Sequence, residues 1–214
     1  MVEREQILKA VQTALETAPE RKFTESVDLT INLKNIDMSQ PKNRIDETIL
    51  LPRGMGTPIK VAVLGKGEIT TQAKEVNVDL VISPEEIERL GGEPREARKI
   101  ANDYRFFLAE TSVMGLVGRW LGPRLGPRGR MPMPIPTGTD VRPIIERLRS
   151  SVKIRSKDKK VFHAPVGSTA MSAEELTDNV DAVMKKIESV LEQGQQNIRS
   201  VYVKTTMGPA VRLI

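Results

Sequence analysis

Residues 26–33, Ser-Val-Asp-Leu-Thr-Ile-Asn-Leu, alternate polar and apolar without a fault. Val27, Leu29, Ile31 and Leu33 point one way and Ser26, Asp28, Thr30 and Asn32 the other, which predicts a strand with one buried and one wet face. Such strands belong to antiparallel sheets. Ahead of it, residues 3–19 place Ile7, Val11, Ala14, Leu15 and Ala18 on one helical face before Pro19 stops the helix. Residues 46–54 read as a second strand, ended by Pro52 and Gly54.

The pattern changes at residue 59. Ile-Lys-Val-Ala-Val-Leu-Gly (59–65), Asp-Leu-Val-Ile-Ser (79–83) and Tyr-Arg-Phe-Phe-Leu-Ala-Glu-Thr (104–111) are short, nearly continuous apolar strands. Helical stretches lie between and after them, around 68–76, 83–92 and 112–121, and Asp140 is placed to cap a last helix at 140–150. Ser83 and Glu86 form a capping box with Pro84 in the first turn. This alternation predicts a parallel sheet covered on both faces.

After residue 152 the first style returns. Residues 152–167 read as a hairpin turning at Lys157-Asp158-Lys159. Ser172 and Glu175 cap a helix whose apolar stripe is Leu176, Val180, Val183, Ile187, Val190 and Leu191, with Gly194 closing it. Val201-Tyr202-Val203 is a final strand. The expected fold is α/β in two domains: residues 1–58 and 153–214 form a discontinuous α+β domain with an antiparallel sheet, and residues 59–152 an inserted, doubly wound domain with a parallel sheet. Two adjacent crossings between them would make a natural hinge.

Composition narrows the chemistry. The chain has 214 residues, no cysteine and one histidine. Disulfides, thiolate metal sites and cysteine nucleophiles are excluded, and a cytoplasmic location is expected. No apolar run reaches the roughly eighteen residues of a membrane span, and the first twenty residues carry no apolar signal core. The net charge of +5 leans towards polyanionic partners. Seven aromatic residues are too few for an RNA binder that works mainly by stacking bases on a sheet.

Catalytic signatures are weak. Residues 64–68, Leu-Gly-Lys-Gly-Glu, resemble a dinucleotide-binding loop, but Thr70 stands where its third glycine belongs. His163 has no companion for a metal and no evident triad. No catalytic residue, metal or cofactor is expected. The stretch 121–138 repeats Gly and Pro, which predicts an irregular loop. Its Arg124, Arg128 and Arg130, with Arg119, stand in a segment without an acid between Glu110 and Asp140. These arginines suit a grip on phosphate, and equally suit solvated side chains or caps on helix C-termini.

In the last strand Val201, Val203, Thr205 and Met207 share the core parity, leaving Ser200, Tyr202, Lys204 and Thr206 outward. Hydroxyls, a lysine and the small Gly208 would suit the 2′-hydroxyls and phosphates of folded RNA. On chemistry alone a solvent-facing strand stopped by Gly208-Pro209 is the plainer reading.

Lys-Phe-Thr-Glu-Ser-Val-Asp-Leu-Thr-Ile-Asn-Leu (22–33), Gly-Pro-Arg-Gly-Arg-Met-Pro (126–132) and Arg-Ser-Val-Tyr-Val-Lys-Thr-Thr-Met-Gly-Pro-Ala-Val-Arg (199–212) together resemble, in order and spacing, the large-subunit ribosomal protein L-one family in its archaeal style. Met133 departs from the polar residue many members carry there. The resemblance implies a Rossmann-like inserted domain and RNA binding by the terminal-strand domain. It implies assembly into the large ribosomal subunit through ribosomal RNA, as a mobile lateral stalk near the exit site that takes part in release of deacylated tRNA. It further implies repression of the protein's own messenger RNA and a free monomer with no membrane partner. Carried over by motif, the RNA-binding residues are Phe23, Ser26, Ser200, Thr206, Met207 and Gly208; Lys204 and Thr205 are added by adjacency and charge. Because parity sends Met207 inward, it must reach RNA through a break in the strand at Gly208-Pro209. Arg124, Arg128 and Arg130 become a secondary RNA contact or a structural feature. A nucleotide-dependent enzyme built on the inserted domain is the competing expectation, and a protein-interaction scaffold a third.

Overall fold

A computed structural model describes residues 3–19 and 21–214. The first segment contains α1 (Arg4–Glu16), β1 (Ser26–Leu33) and β2 (Asp46–Leu50). Next come β3 (Val61–Leu64), α2 (Glu68–Glu75), β4 (Leu80–Ile82), α3 (Pro84–Gly92), α4 (Pro94–Asp103), β5 (Phe106–Glu110), α5 (Met114–Trp120), α6 (Gly122–Leu125), β6 (Met133–Ile135) and α7 (Arg142–Arg149). The last segment holds β7 (Ser151–Arg155), β8 (Val161–Ser168), α8 (Ala173–Val190), β9 (Ile198–Thr205) and β10 (Val211–Arg212). Contacts divide the chain into two units, Met1–Thr57 with Ser150–Ile214, and Pro58–Arg149. The second crossing falls at 149/150 rather than 152/153, because β7 already pairs with β2 from Ser151 opposite Leu50.

The discontinuous unit is built on the strict alternation of β1. Val27, Leu29, Ile31 and Leu33 are all buried, and β1 sits between β8 and β9 in an antiparallel sheet of order β10-β9-β1-β8. Helices α1 and α8 pack together and against β9 and β8 respectively. α1 buries Ile7, Ala10, Val11 and Ala14, while Leu15 and Ala18 are only half-buried towards its C-terminal end. Ile7 and Val11 each contribute about 1.5–3 kcal/mol by full burial, the small alanines less. The predicted box on α8 is formed, with Ser172 Oγ accepting from Glu175 N and Glu175 Oε2 accepting from Ser172 N. Asn179 on the same helix is fully buried. Its amide donates to Gly54 O at 2.7 Å and Val166 O at 2.8 Å, and its carbonyl accepts from Arg53 N at 3.0 Å. One polar side chain thereby pins the loop after β2.

Residues 152–167 do not form the expected hairpin. β7 pairs with β2 in a separate two-stranded sheet, while β8 pairs with β1. Lys157 turns the chain between them at φ 50°. Both segments alternate well, and alternation carries no information about which strand is the partner.

In the inserted unit the parallel order is β4-β3-β5-β6. Every residue of β3 and β5 is buried, as a sheet covered on both faces requires. Ala62, Leu64, Phe107 and Ala109 meet α3–α6 in one cluster; α2 and α7 pack against β3. The Ser83–Glu86 box starts α3. Pro94 begins a separate helix, α4, that the sequence pattern did not single out. Asp140 caps α7 from one position further upstream than expected, accepting from Arg142 N at 3.0 Å. The Gly/Pro-rich stretch is not wholly irregular: it holds α6 and the strand β6. β6 is an edge strand, where Pro134 removes no necessary ladder donor.

Candidate nucleic-acid interface

Since β1 runs antiparallel to both neighbours, its start lies beside the ends of β8 and β9. Ser26 stands opposite Ser168, and Val27 opposite Thr205. The chain leaving β9 is tied down residue by residue. Thr206 N donates to Ser26 O at 3.0 Å, and Ser26 N donates to Thr206 Oγ1 at 3.2 Å. Met207 N donates to Glu25 Oε2 at 2.9 Å, and Gly208 N to Thr205 Oγ1 at 3.0 Å. Glu25 is only 3% exposed. Thr169 fixes its backbone from both sides, donating N–H to Glu25 O at 2.9 Å and accepting Glu25 N–H at 3.1 Å.

This clamp holds two large apolar side chains in water. Met207 is 59% exposed and Phe23 56%. An ordered backbone that presents apolar side chains outward forgoes the burial that usually stabilises a turn. Arg21, Lys22 and Thr24 join Phe23, Thr169 and Ala170 around an open concavity beside it.

Away from this end the face of the sheet opposite α1 and α8 is polar and set in rows. Lys204 lies opposite Asp28; Tyr202 lies between Thr30 and Arg212; Ser200 lies opposite Asn32. His163 lies opposite Thr30 on its other side. Cross-strand hydrogen bonds join Thr30 Oγ1 to His163 Nδ1 at 3.0 Å and Asn32 Nδ2 to Ser200 Oγ at 2.7 Å.

The structure gathers Phe23, Ser26, Thr206, Met207 and Gly208 at one sheet end, with Lys204 in the next row. Met207 lies outside the strand, but the break comes earlier than expected: β9 ends at Thr205 rather than at Gly208-Pro209. Three placements differ from expectation. Thr205 is fully buried and supports the turn from inside, so its side chain offers no surface for a ligand. Ser200 is 7% exposed, with its hydroxyl held by Asn32; at about 3.3 Å per residue it lies some 20 Å along the strand from Thr206. Gly208 is small for an internal reason: a Cβ there would run into Thr205 Oγ1 and press on Ala18. Sequence reasoning missed Glu25. A carboxylate beside an RNA motif reads as solvated charge until its bond to Met207 N is seen.

In the other unit the arginine stretch serves its own fold. Arg130 Nη1 donates to Asn102 O at 2.8 Å and Tyr104 O at 2.9 Å, and also to Ala101 O, closing the C-terminus of α4. Partial burial, with Arg105 and Arg128 nearby, lowers its pKa from the ordinary value. Arg128 Nε donates to Asn102 Oδ1 at 2.8 Å and its Nη1 to Arg124 O at 3.1 Å. The helix-capping reading therefore describes Arg128 and Arg130, while Arg124 is half-buried on α6.

The glycine loop after β3 lies at the crevice where strand order reverses, the usual ligand position in such sheets. Glu110, 4% exposed, reaches into it and accepts from Lys66 N and Thr137 Oγ1, each at 3.3 Å. A hydrogen bond from Ser112 leads in lowering its pKa, helped by the Lys66 and Thr137 bonds and opposed by burial. A phosphate would find that N–H already answered by a carboxylate. Among the described residues no three His, Asp or Glu side chains gather to hold a metal ion, and no helix is long and apolar enough to cross a membrane.

Comparison with known proteins agrees across the whole chain. The chain is 72% identical over 214 residues to the large ribosomal subunit protein uL1 of Methanoculleus marisnigri, covering all of both sequences. It is 68% identical to that of Methanoregula boonei, again over all of both, and 46% identical over 214 residues to that of Archaeoglobus fulgidus, with full coverage. Residues 12–209 match the profile of the ribosomal protein L1p/L10e family, and the chain belongs to that family.

Proposed function

We propose that this chain is a non-catalytic constituent of the large ribosomal subunit that binds large-subunit ribosomal RNA directly, through the discontinuous unit. The observation that carries the reading is the clamped end of the sheet, where Ser26, Glu25 and Thr169 hold an ordered turn and leave Phe23 and Met207 in water. A turn whose backbone donors are already satisfied internally loses little entropy on binding, so the exposed side chains are preorganised. The basic pI of about 9.5 supports a polyanionic partner.

The reading extends to a place in the lateral stalk near the exit site, contact with exit-site tRNA as deacylated tRNA leaves, and repression of translation by binding a similar structure in the protein's own messenger RNA. It includes a cytoplasmic, ribosome-bound location and a monomeric free state. Arg124 remains available for a secondary RNA contact.

The test is nuclease protection of a full-length large-subunit ribosomal RNA transcript by the purified chain. One discrete protected fragment is expected, bound with an affinity that falls at least tenfold as salt rises from about 50 to 200 mM. Competition with the chain's own messenger RNA tests the repressor reading. Met207→Asp should abolish protection while the thermal melt stays cooperative. Diffuse protection with no preferred fragment would overturn the assignment.

A further inference from the structure

His163 is the only histidine in the chain, and it stands exposed on the open face of the β10-β9-β1-β8 sheet, the face continuous with the Thr206–Met207 end. Its ring is held by the 3.0 Å bond between Nδ1 and Thr30 Oγ1. The threonine hydroxyl both donates and accepts, so the contact survives either protonation state of the ring. A long exposed strand face usually leaves its side chains free to rotate; here the imidazole is fixed in the row His163–Thr30–Tyr202–Arg212.

The charges facing the ring are few. From β1 comes Asp28, one row away and directly opposite Lys204 of β9. β9 also contributes Tyr202, and β10 contributes Arg212 beyond it. On the neighbouring β7, Lys153 and Arg155 are paired with Asp46 at 3.2 and 3.4 Å. In the turn before β8, Lys157, Lys159 and Lys160 add positive charge, and Asp158 is paired with Arg44 at 2.8 Å. Helix α8 packs on the opposite face. Among the described residues no carboxylate forms an ion pair with His163, so a protonated ring has no internal counter-ion. On the adjacent strand the charged neighbour is Asp28, while Lys204 lies two strands away and Arg212 three, its Nε donating to Ile214 O at 2.7 Å; the ring itself is left open to a ligand from solution.

We propose that His163 is an additional RNA-contacting residue, whose imidazolium meets a backbone phosphate of RNA laid across this face, making recognition pH-sensitive. The inference rests on the RNA-binding reading of the same sheet. Histidine is the side-chain type whose charge ordinarily changes between about pH 5 and 8. A phosphate favours the protonated ring, so affinity rises as pH falls. The contact acts at a distance of several residues from Met207, and its loss removes the pH dependence without removing recognition.

The experiment uses the full chain and the protected ribosomal RNA fragment, with Kd measured at about pH 6 and about pH 8 at constant ionic strength. Wild type should bind about threefold more tightly at the lower pH, the scale of one exposed charged contact. His163→Gln, which keeps a polar partner for Thr30, should show nearly equal affinity at the two values. Thr30→Val, which frees the ring, should shrink the ratio as well. A His163→Gln ratio matching wild type overturns the proposal. Met207→Asp separates the two levels: loss of binding at both pH values sustains the underlying reading whatever His163 does, and retained binding places the failure in that reading.

Discussion

Gly208→Ala tests the clamped turn from the inside. The new Cβ would occupy the space of Thr205 Oγ1 and come within 3.4 Å of Ala18 Cβ. Thr205 is fully buried, so its hydroxyl cannot swing into solvent. Overpacking of this kind costs about 1–3 kcal/mol, and displacing the hydroxyl also weakens the 3.0 Å bond from Gly208 N, worth about 1 kcal/mol. Together these come to about 2–4 kcal/mol, and at about 2–4 °C per kcal/mol for a chain of this size Tm should fall by about 4–16 °C. The turn must move to relieve the clash, so affinity for the protected RNA fragment should fall about tenfold or more. A double-mutant cycle isolates the cause. Thr205→Ala alone loses the hydrogen bond and some packing; adding Gly208→Ala to it should cost clearly less than in wild type, because the atom it meets is gone. Strict additivity, or a Gly208→Ala protein with unchanged Tm and affinity, would refute the idea that Gly208 is small because of Thr205 rather than because of RNA.

Other outcomes follow from the same contacts. Glu25→Gln should weaken RNA binding several-fold through the turn while Phe23 stays exposed, and proteolysis near Met207–Pro209 should quicken. Asn179→Ala leaves Gly54 O, Val166 O and Arg53 N without their partner, so chemical denaturation should show a loss of about 2–4 kcal/mol. Glu110 has a folded pKa lowered by its hydrogen bonds; its contribution to stability is present above the ordinary glutamate value and lost as pH falls through the lowered one. Glu110→Gln should therefore flatten the acid side of the stability profile below about pH 4.5. Because Leu51 N donates to Ser150 O at 2.8 Å, a chain joining Thr57 to Ser150 by a short linker should fold and keep most of the RNA affinity. Near-total loss of affinity in that folded chain would move recognition to the inserted unit.

What could be read from sequence was what side-chain periodicity and local caps encode. β1 was legible because its core partners sit at every second position, and α3 and α8 because Ser and Glu three residues apart satisfy the same free N–H groups in any context. Partner choice was not legible: β7 and β8 look like a hairpin but belong to different sheets, since pairing is decided by surfaces far apart in sequence. β6 was hidden by Pro134, which an edge position tolerates. At the site, the exposed apolar pair came from motif resemblance, whereas the reason the turn is rigid lies in contacts across about 180 residues of chain, from Glu25 to Met207 and from Ser26 to Thr206. Thr205 illustrates the limit of adjacency. Parity placed it inside, and its neighbours suggested RNA; the structure gives it to the turn. The glycine-rich stretches of the inserted unit left their roles open in sequence; in the structure Glu110 accepts the Lys66 N–H of the glycine loop, and Arg130 closes the end of α4.

The central claim is that the clamped end of the discontinuous unit touches RNA. The chain has no cysteine, so a single one can be placed at the exposed Ala210 and carry an iron chelate that cleaves nearby nucleic acid. With the tethered protein bound to the full-length transcript, strong cleavage confined to the protected fragment is expected; intact binding with no cleavage of that fragment from Ala210 would mean that this end does not meet RNA.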